Sequence, residues 1–180
     1  MRSSKGFSLV ELLVVVAIIG ILAGVGTVGF QQYVEAAKNR LADTNYRNVI
    51  EYLRVELAVL NNGVLDESPT AKVGSNLWKM GTHTLNDFIN GAAAYHDLGT
   101  GLANFKNPYL NSDSRQVFSL SNADDAADPN IAIKGTIVLR VNPSFAGDGA
   151  KTSGDRNFQV IYYKDDNVID TTKVTDLVLK

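Results

Sequence analysis

The sequence predicts an α+β protein: a long N-terminal helix, membrane-spanning in its first half, packed by its second half on a C-terminal antiparallel sheet. Three observations carry this. Leu12 to Phe30 is a run of 19 residues without a charge. Apolar residues then recur at helical spacing as far as Leu60. From Gln116 onward the pattern changes to short β-branched and aromatic stretches between polar turns. The 180 residues suffice for one domain with a modest core.

The N-terminal run is built of Leu, Val, Ile, Ala and Gly, with no polar face. At about 1.5 Å per residue it covers roughly 28 Å, close to the hydrocarbon thickness of a bilayer. A core helix would show a polar side, so the run reads as a membrane segment. A cleaved secretory signal, with a small-residue site near Ala23 to Gly26, is the alternative, but the apolar run is too long for its h-region. Arg2 and Lys5 keep the N-terminus cytoplasmic and place the rest outside.

The helical pattern continues through Phe30, Val34, Ala37, Leu41, Tyr46, Val49, Leu53, Leu57 and Leu60. Charged residues fill the intervening positions, and Asp43–Arg47 and Glu51–Arg54 are spaced to pair along the helix. Asn61-Asn62-Gly63 supplies a left-handed C-terminal cap. One helix from about Ser8 to Leu60 would be roughly 80 Å long. Val64 to Asp113 is polar and aperiodic, apart from a short helix at Thr84–Tyr95 with Thr84 as N-cap and Asp87 three residues on. Strands are expected at Gln116–Ser121, Ile131–Val141, Phe158–Tyr163, Val168–Ile169 and Val174–Leu179. Asp165-Asp166-Asn167 makes a turn, and Asn142 to Asp155 a polar loop. The amphipathic half of the helix covers one face of the sheet.

Little here carries catalytic chemistry, and no enzyme activity is expected. Cysteine is absent, which excludes disulfides, thiolate zinc sites and a thiol nucleophile. The net charge of −2 gives no nucleic-acid signal. His83 and His96 lack metal-ligand spacing and read as loop or surface histidines. Asp124, Asp125, Asp128, Asp148, Asp155, Asp165 and Asp166 are loop carboxylates able to hold Ca²⁺, but none follows an EF-hand spacing and solvated turns are the plainer reading. Gly20, Gly24, Gly26 and Gly29 form a close-packing face or reflect the frequency of glycine in membrane helices. Glu11 stands out. A carboxylate at mid-bilayer costs roughly 2.5–3.5 kcal/mol, less near the interface, and such groups normally have a partner. No cation lies within a turn or two on the helix, so an intermolecular partner is expected.

"GFSLVELLVVVAIIGILA", Gly6 to Ala23, resembles the class III signal of type IV pilins and type II secretion pseudopilins. The likeness rests on Gly6 before the cut, aromatic Phe7 as new N-terminus, the small hydroxyl Ser8, Glu11 at the fifth position from Phe7, and the short basic leader Met1–Lys5. It covers about the first quarter of the chain. It implies a cleaved leader 1–6, a membrane and filament-core helix 7–30, and a pilin head 31–180 that includes the amphipathic second half of the helix. It implies cleavage by prepilin peptidase and N-methylation of Phe7. It also implies passage through an inner-membrane assembly platform from the lipid into a homo-oligomeric filament, with Glu11 meeting the amine of a neighbour. The bacterial inner membrane and then an extracellular pilus would be the locations. A type IV pilus subunit is the first expectation and a major pseudopilin the second; a bitopic binding protein or enzyme is the rival of another class. A DNA-uptake role would need a basic cluster that the outer part lacks.

Two departures matter. Val28 stands where family members often have the proline of a melted helix stretch, leaving Gly20, Gly24, Gly26 and Gly29 as the cause of any melting. The missing disulfide shifts weight toward pseudopilins, whose C-terminal loop is often held by calcium, with Asp148 and Asp155 as candidate ligands. "FKNPY", Phe105 to Tyr109, resembles the loop-to-sheet junction of some pilins.

Overall fold

The computed structural model describes residues 6–96, 105–110, 117–120 and 131–180. Arg2, Lys5, Asp124, Asp125, Asp128 and the ends Gln116 and Ser121 of one expected strand lie outside them. The chain divides into two compact units, Met1–Lys38 and Asn39–Lys180.

A single helix, α1, runs from Leu9 to Asn61. From Leu12 to Phe30 it carries no charge and every residue is exposed, Ile18, Ile21 and Val25 among them. It is long and apolar enough to cross a membrane. Its part in the second unit buries Ala42, Asn45, Tyr46, Val49, Ile50, Leu53, Glu56, Leu57 and Leu60. This is the expected amphipathic face with its start shifted: Ala42 is buried and Leu41 is exposed. The face repeats every three to four residues from 42, a phase that excludes 41. The Asp43–Arg47 and Glu51–Arg54 pairs both form, at 3.0 Å. The helix ends in a Schellman motif: Val64 N–H donates to Val59 O (3.1 Å) and Gly63 N–H to Leu60 O (3.0 Å). Gly63 has φ +65°, as that motif requires.

The region expected to be aperiodic contains an antiparallel hairpin, β1 (Glu67–Val73) and β2 (Asn76–Lys79). "ESPTAKV" has no apolar alternation, and a buried carboxylate holds it in place instead. Glu56 of α1 accepts hydrogen bonds from the Ser68 hydroxyl and from Thr70 Oγ1 (2.8 Å to Oε1, 2.7 Å to Oε2). Helix α2 (Leu85–His96) begins with the expected cap: Thr84 N–H donates to Asp87 Oδ2 (2.9 Å) and Asp87 N–H to Thr84 Oγ1 (3.2 Å). It lies so close to β1 that a Cβ at Gly91 would stand 2.5 Å from Lys72 N.

The second sheet has the order β3 (Val117–Ser119), β4 (Ile137–Val141), β5 (Arg156–Asp165), β6 (Val168–Leu179). It is mixed rather than antiparallel throughout, because β3 pairs parallel with β4. The expected strand Ile131–Val141 starts only at Ile137. The chain turns at Gly135, φ +84°, where a Cβ would stand 2.5 Å from Asn107 Oδ1. The two short stretches Val168–Ile169 and Val174–Leu179 are one strand with a register shift against β5. The polar loop contains a 3₁₀ segment, Pro143–Ala150, capped by Asn142 Oδ1 accepting from Ser144 N–H (2.9 Å).

One core joins the inner face of α1, α2, Trp78 and the facing residues of the sheet. Leu53, Leu85, Phe88 and Phe158 are fully buried, each contributing about 1.5–3 kcal/mol of transfer free energy. Trp78 meets the edge of Phe88 at 5.2 Å. Within the second unit α1 is fastened to β6 along its length. Lys173 Nζ meets Asp43 at 2.6 Å, Tyr46 and Thr175 hydroxyls lie 2.9 Å apart, and Asn61 bridges Val178 O (2.9 Å) and Lys180 N (2.8 Å). The Lys173 hydrogen bond, with Arg47 adding its charge, holds Asp43 below the usual carboxylate range. "FKNPY" locks this unit from a third side: Asn45 Nδ2 donates to Lys106 O, Asn107 Nδ2 to Lys134 O (both 2.9 Å), and Tyr109 OH to Asn39 Oδ1 (2.7 Å).

Candidate processing and assembly site

Gly6 and Phe7 precede the first turn of α1 in non-helical backbone, and both are exposed. A non-helical, uncovered Gly–Phe bond suits a peptidase, since a helical backbone cannot enter its cleft. No Cβ neighbour lies within 4 Å of Gly6.

Ser8 is the N-cap of α1. Its backbone N–H donates to Glu11 Oε2 (2.8 Å), and Glu11 N–H donates to Ser8 Oγ (3.2 Å). This is a reciprocal capping box, S-x-x-E, which the sequence analysis did not anticipate. Glu11 has a partner within its own chain, a backbone N–H rather than a cation. The signal was present in "SLVE", whose spacing is that of a capping box. The carboxylate also faces the positive end of the helix macrodipole. Glu11 Oε1 takes no further hydrogen bond among the described residues.

Below this cap the helix offers no polar side. Gly20, Gly24, Gly26 and Gly29 each have open space where a side chain would be. Thr27 Oγ1 donates back to Gly24 O, three residues earlier, at 2.9 Å. α1 is a continuous helix through all four glycines. The first unit thus presents an apolar helix, which bilayer or close helix packing must cover, headed by a half-engaged carboxylate.

The other expected site residues fall elsewhere. Asp148 is buried, with Oδ1 on the Lys151 ammonium and Oδ2 accepting from Asn157 N (2.7 Å) and Nδ2 (2.9 Å). The Lys151 hydrogen bond, more than the two from Asn157, keeps this carboxyl below its ordinary value. Asp155 is exposed. A calcium ion at Asp148 would have to displace Lys151, and no group of three or more metal-ligating side chains occurs among the described residues. Asp166 Oδ1 accepts from Lys134 N (3.0 Å) in the turn before β6. His83 Nδ1 accepts from Lys79 N (2.8 Å). His96 is fully buried, not a surface residue. It sits among Tyr52, Tyr95 and Phe105, and neither ring nitrogen has a hydrogen-bond partner among the described residues. Its place was readable from the α2 spacing 85, 88, 89, 92, 93, 96, all on one buried face.

A feature the sequence did not disclose is Arg156. Its side chain is fully buried and donates to Thr152 O (2.9 Å), Gly154 O (3.0 Å) and Lys180 O (2.8 Å), with the guanidinium over Trp78 at 5.6 Å. It ties the loop before β5 to the end of β6 in a chain without disulfides.

Comparison with known proteins matches residues 1–27 to the prokaryotic N-terminal methylation motif. The prepilin peptidase-dependent protein D of Escherichia coli (strain K12) is 40% identical over 76 residues, 42% of this chain and 49% of its own length. The chain therefore spans about half the length of that curated relative. No solved structure matches it. The exposed Gly6–Phe7 bond, the Ser8–Glu11 cap and the uncovered apolar helix lie within or directly continue the matched segment. The chain carries the prepilin-type N-terminal methylation motif of the type IV pilin and type II secretion pseudopilin family.

Proposed function

We propose that this chain is a structural subunit of a type IV pilus, cut between Gly6 and Phe7 by prepilin peptidase, N-methylated on Phe7 and assembled from the inner membrane by packing of its N-terminal helices. The observation that carries the reading is a carboxylate, Glu11, at the head of a helix that is long and apolar enough to cross a membrane. In the bilayer, lipid covers the helix and the capping box partly satisfies Glu11. In a filament core, neighbouring helices replace the lipid, and Glu11 Oε1 receives the Phe7 amine of another subunit. Either charge left unpaired in that low dielectric would be strongly destabilising, so the pair also selects the register of docking.

The glycines belong to the same reading. Four glycines within ten residues weaken the helix by roughly 1 kcal/mol each relative to alanine. In lipid no water can take the freed backbone groups, so the helix stays continuous there. In a filament the Gly20–Gly29 stretch is where it gives way. An unbroken α1 in a filament map would refute that part.

The absence of cysteine favours a second reading, the major pseudopilin of a type II secretion system. Microscopy of surface-sheared material separates the two: long external fibres containing this chain support a pilus, and their absence from cells that export through the chain supports a pseudopilus.

A further inference from the structure

Strand β6 lies at the end of the four-stranded sheet, paired with β5 on one side. A strand in that place carries a row of backbone N–H and C=O groups that invite a further strand. The register tells which groups these are. Asn142 N–H donates to Asn157 O, so the odd-numbered residues of β5 face β4. Arg156, Phe158 and Val160 therefore face β6, opposite Leu179, Leu177 and Thr175. Backbone direction alternates along a strand, so Val174, Asp176, Val178 and Lys180 turn their groups away from the sheet.

Two features guard this row. At one end Asn61, in the last turn of α1, donates from Nδ2 to Val178 O (2.9 Å) and accepts at Oδ1 from Lys180 N–H (2.8 Å). A residue of a neighbouring strand would make the same two bonds to the groups flanking Leu179. The carboxamide thus stands where the backbone of a further strand would lie. At the other end the pairing of β6 with β5 shifts between Val174 and Ile169, and Thr172 N–H is taken by Asp170 Oδ1 (3.1 Å). Such a shift bends the strand and interrupts regular pairing. Between the two guards, the outward groups of Val174 and Asp176 have no backbone partner among the described residues. The open row therefore runs from Val174 to Asp176. Without Asn61 it would run from Val174 to Lys180, longer than the usual strand of about 5–6 residues. Val174 to Leu179 contains neither proline nor lysine, the residues that commonly blunt an exposed strand, which leaves that task to Asn61.

We propose that Asn61 keeps β6 from pairing with β6 of a second copy of this chain. The bare row is self-complementary. About a two-fold axis at Leu177, two antiparallel β6 strands set Val174 opposite Lys180 and Asp176 opposite Val178. Each of these rungs needs a residue that Asn61 already holds, so the guard breaks the ladder at every rung. The inference stands whichever filament the chain builds.

The test is amide hydrogen exchange of the ¹⁵N-labelled, detergent-solubilised full chain, read by NMR over a series of protein concentrations. In wild type the Lys180 amide should be protected, while those of Val174 and Asp176 exchange freely at every concentration. In Asn61→Ala, protection of Lys180 should be lost in dilute solution. At high concentration the Val174, Asp176 and Lys180 amides should slow together, by at least about tenfold. Alanine is a strong helix former and keeps the last turn of α1. Asn61→Ser, too short to reach both groups, repeats the comparison if the alanine variant does not fold. Adding Val174→Pro to either variant removes an outward N–H and should abolish the concentration-dependent slowing. Free exchange at Val174 and Asp176 in both Asn61 variants at high concentration overturns the proposal. So does slowing that survives Val174→Pro, or concentration-dependent protection of Val174 and Asp176 in wild type.

Discussion

Lowering the pH from about 7.5 to 5 should destabilise the second unit through one side chain. His96 is enclosed by Tyr52 (5.5 Å), Tyr95 (5.1 Å) and Phe105 (5.7 Å, stacked), with no hydrogen-bond partner for either nitrogen among the described residues. Burial pulls its pKa down from 6.5 to about 4. The unfolded chain therefore takes up a proton that the folded chain refuses, so stability is full above about pH 6.5 and falls as the pH drops toward 4. At 1.36 kcal/mol per unit the full difference is about 3 kcal/mol, of which roughly 2 kcal/mol is lost by pH 5. The depressed carboxyls Asp43, Asp148 and Asp170 carry stability that is lost only at more acid pH, below the ordinary aspartate value of 3.8. The interval down to pH 5 thus leaves these carboxyls out, and comparison with His96→Leu isolates that histidine. The assay is urea unfolding of the detergent-solubilised chain, read by fluorescence of Trp78, which is fully buried. Wild type should lose about 2 kcal/mol between the two pH values, and His96→Leu should lose almost none. An equal loss in His96→Leu would refute the reasoning.

Glu11→Val should leave membrane insertion intact, since it makes the span more apolar, and should depress filament yield severely; membrane fractionation and shearing assays read the two separately. Unchanged yield would remove the role given to the carboxylate. Arg156→Met should lower unfolding stability by on the order of 3 kcal/mol, because three carbonyls lose their donor inside the core. Replacing Gly24 and Gly26 by alanine should reduce filament extensibility in pulling experiments while leaving the membrane form unchanged, given the open space at both positions.

What was legible in the sequence was what local chemistry decides. Asn61-Asn62-Gly63 ended α1 where a left-handed cap was readable, and Thr84 with Asp87 opened α2 for the same reason. Strand β5 followed its β-branched and aromatic pattern. What was hidden depended on residues far apart. The β1–β2 hairpin has no alternation to read because Glu56, from α1, supplies its anchor. The parallel pairing of β3 with β4 is a matter of chain path, which three residues of strand cannot announce. Ile131–Ile133 looks like strand, but Asn107 forces a turn at Gly135. At the candidate site the residues Gly6, Phe7 and Glu11 were read directly. The Ser8–Glu11 cap has a readable spacing, but a lone carboxylate at the head of an apolar run points first to a charged partner. The Arg156 clasp was beyond reach, since its partners lie on strands and loops that only the fold assembles.

The central claim, that this chain is a processed filament subunit, is tested most directly by intact-mass and N-terminal peptide analysis of the assembled material. The account predicts a chain that begins at Phe7 and carries a methyl group on its amine, having lost Arg2 and Lys5 with the leader. Assembled material that retains Met1, or that begins at any residue other than Phe7, would contradict it.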